Sequence, residues 1–417
     1  MIRKFLGQLR KDDNRRLISN FISLVSVKGF DLLIPLFILP YLVRTLGIDV
    51  FGLTQFSLAF VMYFGALIHY GYSITAVRDI ARSRTNANTL SRVYSKYFSV
   101  AMVLLLLSSV MLVIILLLVP GLREDWLLHV YTFYFVAMQS LFPSWFFQGM
   151  EKMRYIAFIN LSTRVMFLIS LLLLVKNPED YLLVPLLNAF AMTLSTLISF
   201  WLIHSVFKVK LVRSSISEMK GVIVVGRHAF ISLFSPTLYT TTTTFLLGIT
   251  TSNYVLGIYT SATKLIDALN SLGLLISNTF LPYLSRKISK HGGFSKIMLA
   301  SGAILTLGAF FFADIIIEFM YGSDKMVISE YFMWLAPMVM FIFIRFTYGP
   351  NFLMLIGKEV VYKNIVLYSC ILFFLIALAI VPLFDIYGAI SIMLGTSLLM
   401  AILTFYFYRK NMGVLRK

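Results

Sequence analysis

Two lysine–aspartate pairs with the same spacing stand inside apolar runs of this sequence: Lys28 with Asp31 in VSVKGFDLLIP, and Lys264 with Asp267 in SATKLIDAL. Residues three apart share a helical face, so each lysine can neutralise its own aspartate. Arg164, Arg227 and Arg345 also fall inside apolar runs, with no carboxylate within one helical turn. A charge at the centre of a membrane helix costs about 2.5–3.5 kcal/mol on insertion scales, so such charges are expected to face a hydrated interior. With the pairs cancelling, three guanidinium groups remain in surplus and the preferred guest is an anion. Guanidinium binds phosphate through two parallel N–H donors, which suits it to a phosphate-bearing guest. Arg164, Arg345, Arg227, Lys28 and Lys264 are therefore the candidate cavity residues. Asp31 and Asp267 are the candidate sites for a coupling proton or sodium ion. The alternative for each pair is a salt bridge that ties two helices together. Arg227, near the end of its run, could instead extend to the headgroups.

The elements that must hold these residues are membrane helices. Of 417 residues, 59% are hydrophobic and 13% charged, with a mean hydropathy of +0.88, which no soluble globular domain shows. Apolar runs fall at residues 17–43, 51–76, 97–119, 126–148, 155–175 and 181–206, then at 221–248, 254–281, 297–317, 331–355, 361–383 and 386–408. At about 20 residues per crossing, these predict an all-α integral membrane protein of twelve helices. The first run is too long and too charged for a cleaved signal peptide, and is expected to be retained.

Lysines and arginines alternate between linkers. One set, with both termini, holds 27 and the opposite set 4, which places both termini in the cytoplasm. The net charge of +18 is thus membrane topology, with no nucleic-acid partner implied. The organisation that follows is a basic amphipathic N-terminus (1–16), a six-helix half (17–206), a cytoplasmic linker (207–220), a second six-helix half (221–408) and a basic tail (409–417). MIRKFLGQLRK at the start reads either as an interfacial helix suited to anionic lipid or as a frayed tail.

The halves share an internal repeat. VFGL at Val50–Leu53 recurs as VLGI at Val255–Ile258, and Pro143, Trp145 and Gly149 answer to Pro350, Phe352 and Gly357. Six helices per half gives both halves one orientation, as in transporters that rock about a central site. Pro35 and Pro236 stand in the first helix of each half, where proline permits a bend. The run TTTTT at Thr240–Thr244 is expected to satisfy its hydroxyls on its own backbone. Cys370, the single cysteine, and the five scattered histidines read as packing or interfacial residues. No Walker loop, HExxH or GxSxG is present, so no catalytic residue and no cofactor are expected.

PYLVRTLG (Pro40–Gly47), YGYSITAVRDIA (Tyr70–Ala81) and PSWFFQGMEKM (Pro143–Met153) closely resemble the O-antigen flippases of the polysaccharide transporter family. That family lies within the multidrug/oligosaccharidyl-lipid/polysaccharide exporter superfamily. GRHAFIS (Gly226–Ser232) and SATKLIDAL (Ser261–Leu269) carry a thinner match in the second half. The resemblance implies a V-shaped transporter in the bacterial inner membrane. Its substrate would be an undecaprenyl-diphosphate-linked oligosaccharide, moved from the cytoplasmic to the periplasmic leaflet, with membrane lipids and other glycan-assembly membrane proteins as its partners. Arg164, in STRVMF, resembles an arginine that these flippases carry in the fifth span.

Two rivals are a cation-coupled multidrug exporter of the same superfamily and an O-antigen polymerase or ligase. The first favours an acidic cavity, and the second a sizeable outer loop that this chain lacks. The charge asymmetry is checked by reporter fusions: those after Arg84, Lys210 and Lys290 should read cytoplasmic, and one after Pro178 periplasmic. A periplasmic signal at Lys210 would break the six-plus-six division.

Overall fold

The computed structural model describes residues 34–413, as helices joined by short connections with no strand among them. The N-terminal segment, with Lys28 and Asp31, lies outside the described residues. The described chain begins with α1 (Ile34–Leu46) and α2 (Ile48–His69), which meet at Gly47, whose φ of 80° suits glycine. A second break, at Tyr70 and Gly71 with φ of 39° and 77°, turns the chain into α3 (Tyr72–Ser83). Asn86 caps α4 (Ala87–Leu118), its side-chain oxygen accepting from the backbone N–H groups of Asn88 and Thr89 at 3.0 Å each. Then come α5 (Trp126–Leu141), a short α6 (Ser144–Gly149), α7 (Met153–Leu174), α8 (Leu183–Ser205) and α9 (Ile216–Thr250). The remainder is α10 (Asn253–Arg286), α11 (His291–Phe311), α12 (Ala313–Tyr321), α13 (Val327–Leu335), α14 (Pro337–Tyr348) and α15 (Glu359–Lys410).

Eight helices among the described residues are long and apolar enough to cross a membrane, or nine when the bent α9 is counted. The difference from twelve has local causes. The apolar run that precedes α1 lies partly outside the described residues, and α5, with 16 residues, is shorter than a full crossing. The 52-residue α15 reverses at Asp385, where φ is 48° and ψ −128°. Gly388 packs on Ile380 and Val381, and Gly395 on Phe373, the pairing of an antiparallel hairpin. Within α9, the arms Ile216–Ile231 and Leu233–Thr250 meet at 56°. The bend sits four residues before Pro236, where the ring clashes with the carbonyl one turn earlier.

Packing divides the chain into two units, Leu53–Thr237 and a second made of residues 34–52 with 238–413. In the unit Leu53–Thr237 the buried His129 ring accepts or donates at Nδ1 to Ser57 Oγ (2.9 Å), and Ser57 donates to Thr132 at 3.0 Å. Phe56 and Phe60 meet the imidazole edge-on, so His129 is a packing residue, as expected. Tyr94, Trp145 and His204 form an aromatic cluster in which the Tyr94 ring lies 5.6 Å from Trp145 and 5.9 Å from His204.

The other unit repeats that cluster with exchanged residues: His291 lies 5.0 Å from Phe352 and 5.4 Å from Tyr408. Trp145 and Phe352, matched in the sequence repeat, thus occupy matching places. Arg44 of the PYLVRTLG stretch donates to the carbonyls of Phe319 (2.6 Å) and Met320 (2.9 Å), binding the last turn of α12. Cys370 is buried.

Gly52 and Gly257, the glycines of the VFGL and VLGI repeat, face one crossing of α2 and α10. A Cβ on Gly52 would fall 1.9 Å from the Asn253 carbonyl oxygen, and one on Gly257 2.1 Å from that of Ile48. Backbone stands in both directions, so no side chain can yield. Gly52→Ala and Gly257→Ala should each destabilise the purified protein by about 1–3 kcal/mol. Gly292→Ala, where a Cβ meets nothing within 4 Å, is the control and should leave the thermal midpoint unchanged. Equal midpoints for all three would remove the crossing as a constraint.

Candidate functional site

α2, α5, α7 and the first part of α9 enclose a cavity of about 540 Å³ in the unit Leu53–Thr237. Arg164 of α7 lines it, half-buried; among the described residues it is the one arginine in the lining, and no aspartate or glutamate joins it. The neighbouring residue fixes this part of α7. Thr163 donates to the carbonyl of Ile159 at 2.7 Å and also pairs with the Ser195 hydroxyl of α8. Both hydroxyls are buried, which holds α7 and α8 in register.

Around Arg164 stand three carboxamides, Gln139 of α5, Gln148 of α6 and Asn160 of α7. Their side chains bond to no other group among the described residues. Ser140 instead spends its hydroxyl on carbonyls, Val136 at 2.8 Å and Gly65 at 3.2 Å. Phe230 and Phe234 of α9 close one side, stacked on each other at 5.3 Å, and Tyr70 stacks on Phe230 at 4.8 Å with an interplanar angle of 11°. The site offers one guanidinium, donors and acceptors of amide type, and flat aromatic faces. That set fits a neutral polyhydroxyl group beside an anion.

The other charges expected in one cavity are placed differently. Arg345, on α14, belongs to the second unit and is half-buried. Its Nη1 meets Met400 Sδ at 3.4 Å, its guanidinium lies 5.3 Å from the Phe346 ring, and its buried Nε has no partner among the described residues. Arg345 and Asp267 both lie within electrostatic reach of the buried Tyr239. Lys264 and Asp267 share an exposed face of α10 and feel each other's charge, without a direct ion pair among the described residues. Arg227 is exposed on α9, its Nε 3.4 Å from His228 Nε2, and does not line the cavity. Thr243 and Thr244 bond to the carbonyls of Tyr239 and Thr240, the local satisfaction expected of the threonine run.

Sequence reasoning weighed charges and passed over Gln139, Gln148 and Asn160. The signal was present, since each is a carboxamide within or at the end of an apolar run, where an uncommitted amide is as costly as it is informative. His69, read as interfacial or packing, lines the cavity.

A family model described as polysaccharide biosynthesis protein matches residues 17–288. Over 405 residues the chain is 25% identical to a protein of Escherichia coli (strain K12) described as a candidate O-antigen transporter, an alignment covering 94% of this chain and 96% of that one. Among solved structures it is similar to the lipid II flippase MurJ in an inward closed conformation, with a TM-score of 0.73 at 12% identity over 93% of this chain and 87% of that one. It is also similar to an inward-facing multidrug resistance MATE family transporter of the MOP superfamily, with a TM-score of 0.69 at 14% identity over 92% and 95% of the two chains. At such identities the structural likenesses establish the fold alone. The family model, matched over more than half of the sequence, establishes the kinship: this chain belongs to the polysaccharide biosynthesis protein family.

Proposed function

We infer that the chain is a flippase for a lipid-linked oligosaccharide, whose head enters the cavity of the unit Leu53–Thr237 while its polyprenyl tail stays in the bilayer. The observation that carries this reading is the cavity's chemistry among the described residues: a guanidinium beside three carboxamides whose side chains bond to no other described group. A diphosphate ester of undecaprenol carries the negative charge that Arg164 suits, and sugar hydroxyls pair with amides as both donors and acceptors. The relative described as an O-antigen transporter and the lipid II flippase of similar fold support the substrate class.

The fold is shared with multidrug exporters, so fold does not choose between the two readings. What favours the glycan reading is the set of carboxamides beside a guanidinium, which pairs with sugar hydroxyls and phosphate. The polymerase or ligase reading has no support, since the relatives are described as transporters.

Movement by alternating access, from the cytoplasmic to the periplasmic leaflet of an inner membrane, completes the proposal. The basic linkers assign the sides. Asp267, in reach of Tyr239 and Lys264, is the described candidate for coupling to a proton or sodium ion, and Asp31 the candidate outside the described residues. Arg345, Lys264, Arg227 and Lys28 are further candidate contacts for the anionic head during that movement.

In a strain lacking its own transporter, Arg164→Ala should lower glycan export at least about tenfold at normal protein abundance, the equivalent of one charge-assisted hydrogen bond. Arg164→Lys should recover part of it, because an ammonium supplies the charge without the fork. Gln139→Ala combined with Asn160→Ala should reduce export of a long oligosaccharide more than that of a single-sugar analogue. Full export by Arg164→Ala would remove this cavity as the substrate site.

A further inference from the structure

A second recess, of about 420 Å³, opens in the unit Leu53–Thr237 where α3, the start of α4 and the start of α9 converge. Arg78, Arg92 and Lys96 line it with Asp79 and Glu218, opposite valines of α4 and α9. Each carboxylate holds its cation by one edge. Arg92 gives Nε to Glu218 Oε1 at 2.7 Å, and Arg78 gives Nε and Nη2 to Asp79 Oδ1, each at 3.0 Å. Lys96 Nζ stands 3.5 Å from Asp79 Oδ2, which also accepts from Tyr97 Oη at 2.8 Å.

The terminal nitrogens of Arg92 and Nη1 of Arg78 bond to nothing among the described residues. The Arg92 and Arg78 side chains are 73% and 47% exposed, so those outer N–H edges are reachable. Three cations against two carboxylates leave one positive charge. A backbone N–H from Ser215 and the Arg92 guanidinium hold the Glu218 carboxyl below the usual carboxylate range, so the compensation persists at neutral pH.

The place of the recess matters as much as its charge. Arg78 lies seven residues along from Gly71, which lines the larger cavity, about 10 Å at the helical rise. On α9, Val225 belongs to the recess and Phe230 to the cavity. Between them Tyr70 stacks on Phe230 and donates from Oη to the Ile223 carbonyl at 3.3 Å. The two hollows therefore lie along one seam, separated by a pair of flat rings. The recess lies where α3 meets the first turns of α4 and α9, on the side that the basic linkers assign to the cytoplasm.

We propose that this recess binds the phosphate of a membrane-lipid headgroup, with its valine wall against the adjoining apolar chain. The free edges of Arg78 and Arg92 supply directed donors, and Asp79 and Glu218 set their positions. Two lipids present this chemistry, an anionic phospholipid and a polyprenyl diphosphate. Its place on the substrate's route to the cavity rests on the transport reading above; the phosphate binding does not.

The test uses the full chain in phosphatidylethanolamine nanodiscs doped either with phosphatidylglycerol or with undecaprenyl diphosphate, and measures retained lipid by native mass spectrometry. Arg78→Gln with Lys96→Gln should cut retention of the preferred lipid about tenfold, while Tyr97 still holds Asp79 in place. Glu218→Gln, which frees Arg92, should raise it. Selective retention of undecaprenyl diphosphate marks the recess as a substrate vestibule, and retention of phosphatidylglycerol alone as a resident-lipid site. Unchanged retention in the double variant, or unchanged or lowered retention in Glu218→Gln, would show a bracing ion network and overturn the proposal. Because the readout is binding, a failure of glycan export leaves it standing, and its failure leaves Arg164 and the larger cavity untouched.

Discussion

Inside hydrocarbon, a polar group must find its partner within the protein. The rest of this structure follows from how its polar groups meet that demand. Most hydroxyls meet it locally. Thr132, Ser140, Thr163, Thr396 and Thr404 each donate to the carbonyl four residues earlier, at distances of 2.6 to 2.8 Å. A helix can therefore carry many serines and threonines at little cost, and their presence says little about function. Among the described residues, Gln139, Gln148 and Asn160 do not follow this rule, and neither does the buried Nε of Arg345. Groups that the fold leaves uncommitted can still be used by a guest.

The two units solve the same packing problem with different residues. Each holds an aromatic cluster, built from tyrosine, tryptophan and histidine in one and from histidine, phenylalanine and tyrosine in the other. Gly52 and Gly257 repeat in sequence because each removes a Cβ from one crossing. What is not repeated is polarity. Arg164 stands near amides, whereas Arg345 meets Met400 and Phe346 and lies within electrostatic reach of Tyr239. The shared scaffold fixes helix positions, and the departures from symmetry carry the chemistry.

Much of this was legible in the sequence. The apolar runs, the proline bend in α9 and the repeat all rest on backbone and solvation rules that act within one helix or one turn. Arg164 was legible for the same reason, as a mid-run charge has few uses. The carboxamides were harder to see because a Gln or Asn can be satisfied in many ways, and only the assembled neighbours show that these three are not. Arg345 and Lys264 were grouped with Arg164 on charge alone, since periodicity gives a residue's face on its own helix and not which hollow that face meets. The hairpin reversal at Asp385 was expected from run length alone. The shortness of α5 was not, because apolar residues continue past its end into α6.

The distribution of carboxylates follows from the same constraint. Asp79 and Glu218 accompany basic residues at helix ends, where water shares the cost of both charges and the ion pairs position the cations more than they stabilise the fold. Deeper in the same unit, no carboxylate among the described residues lines the cavity around Arg164, whose other polar lining is carboxamide, hydroxyl and imidazole. Apart from Arg164, the charges lining this unit's two hollows thus lie toward the ends of helices, where water shares their cost, and the polarity of the interior rests on neutral groups that can pair with a guest as donors and as acceptors.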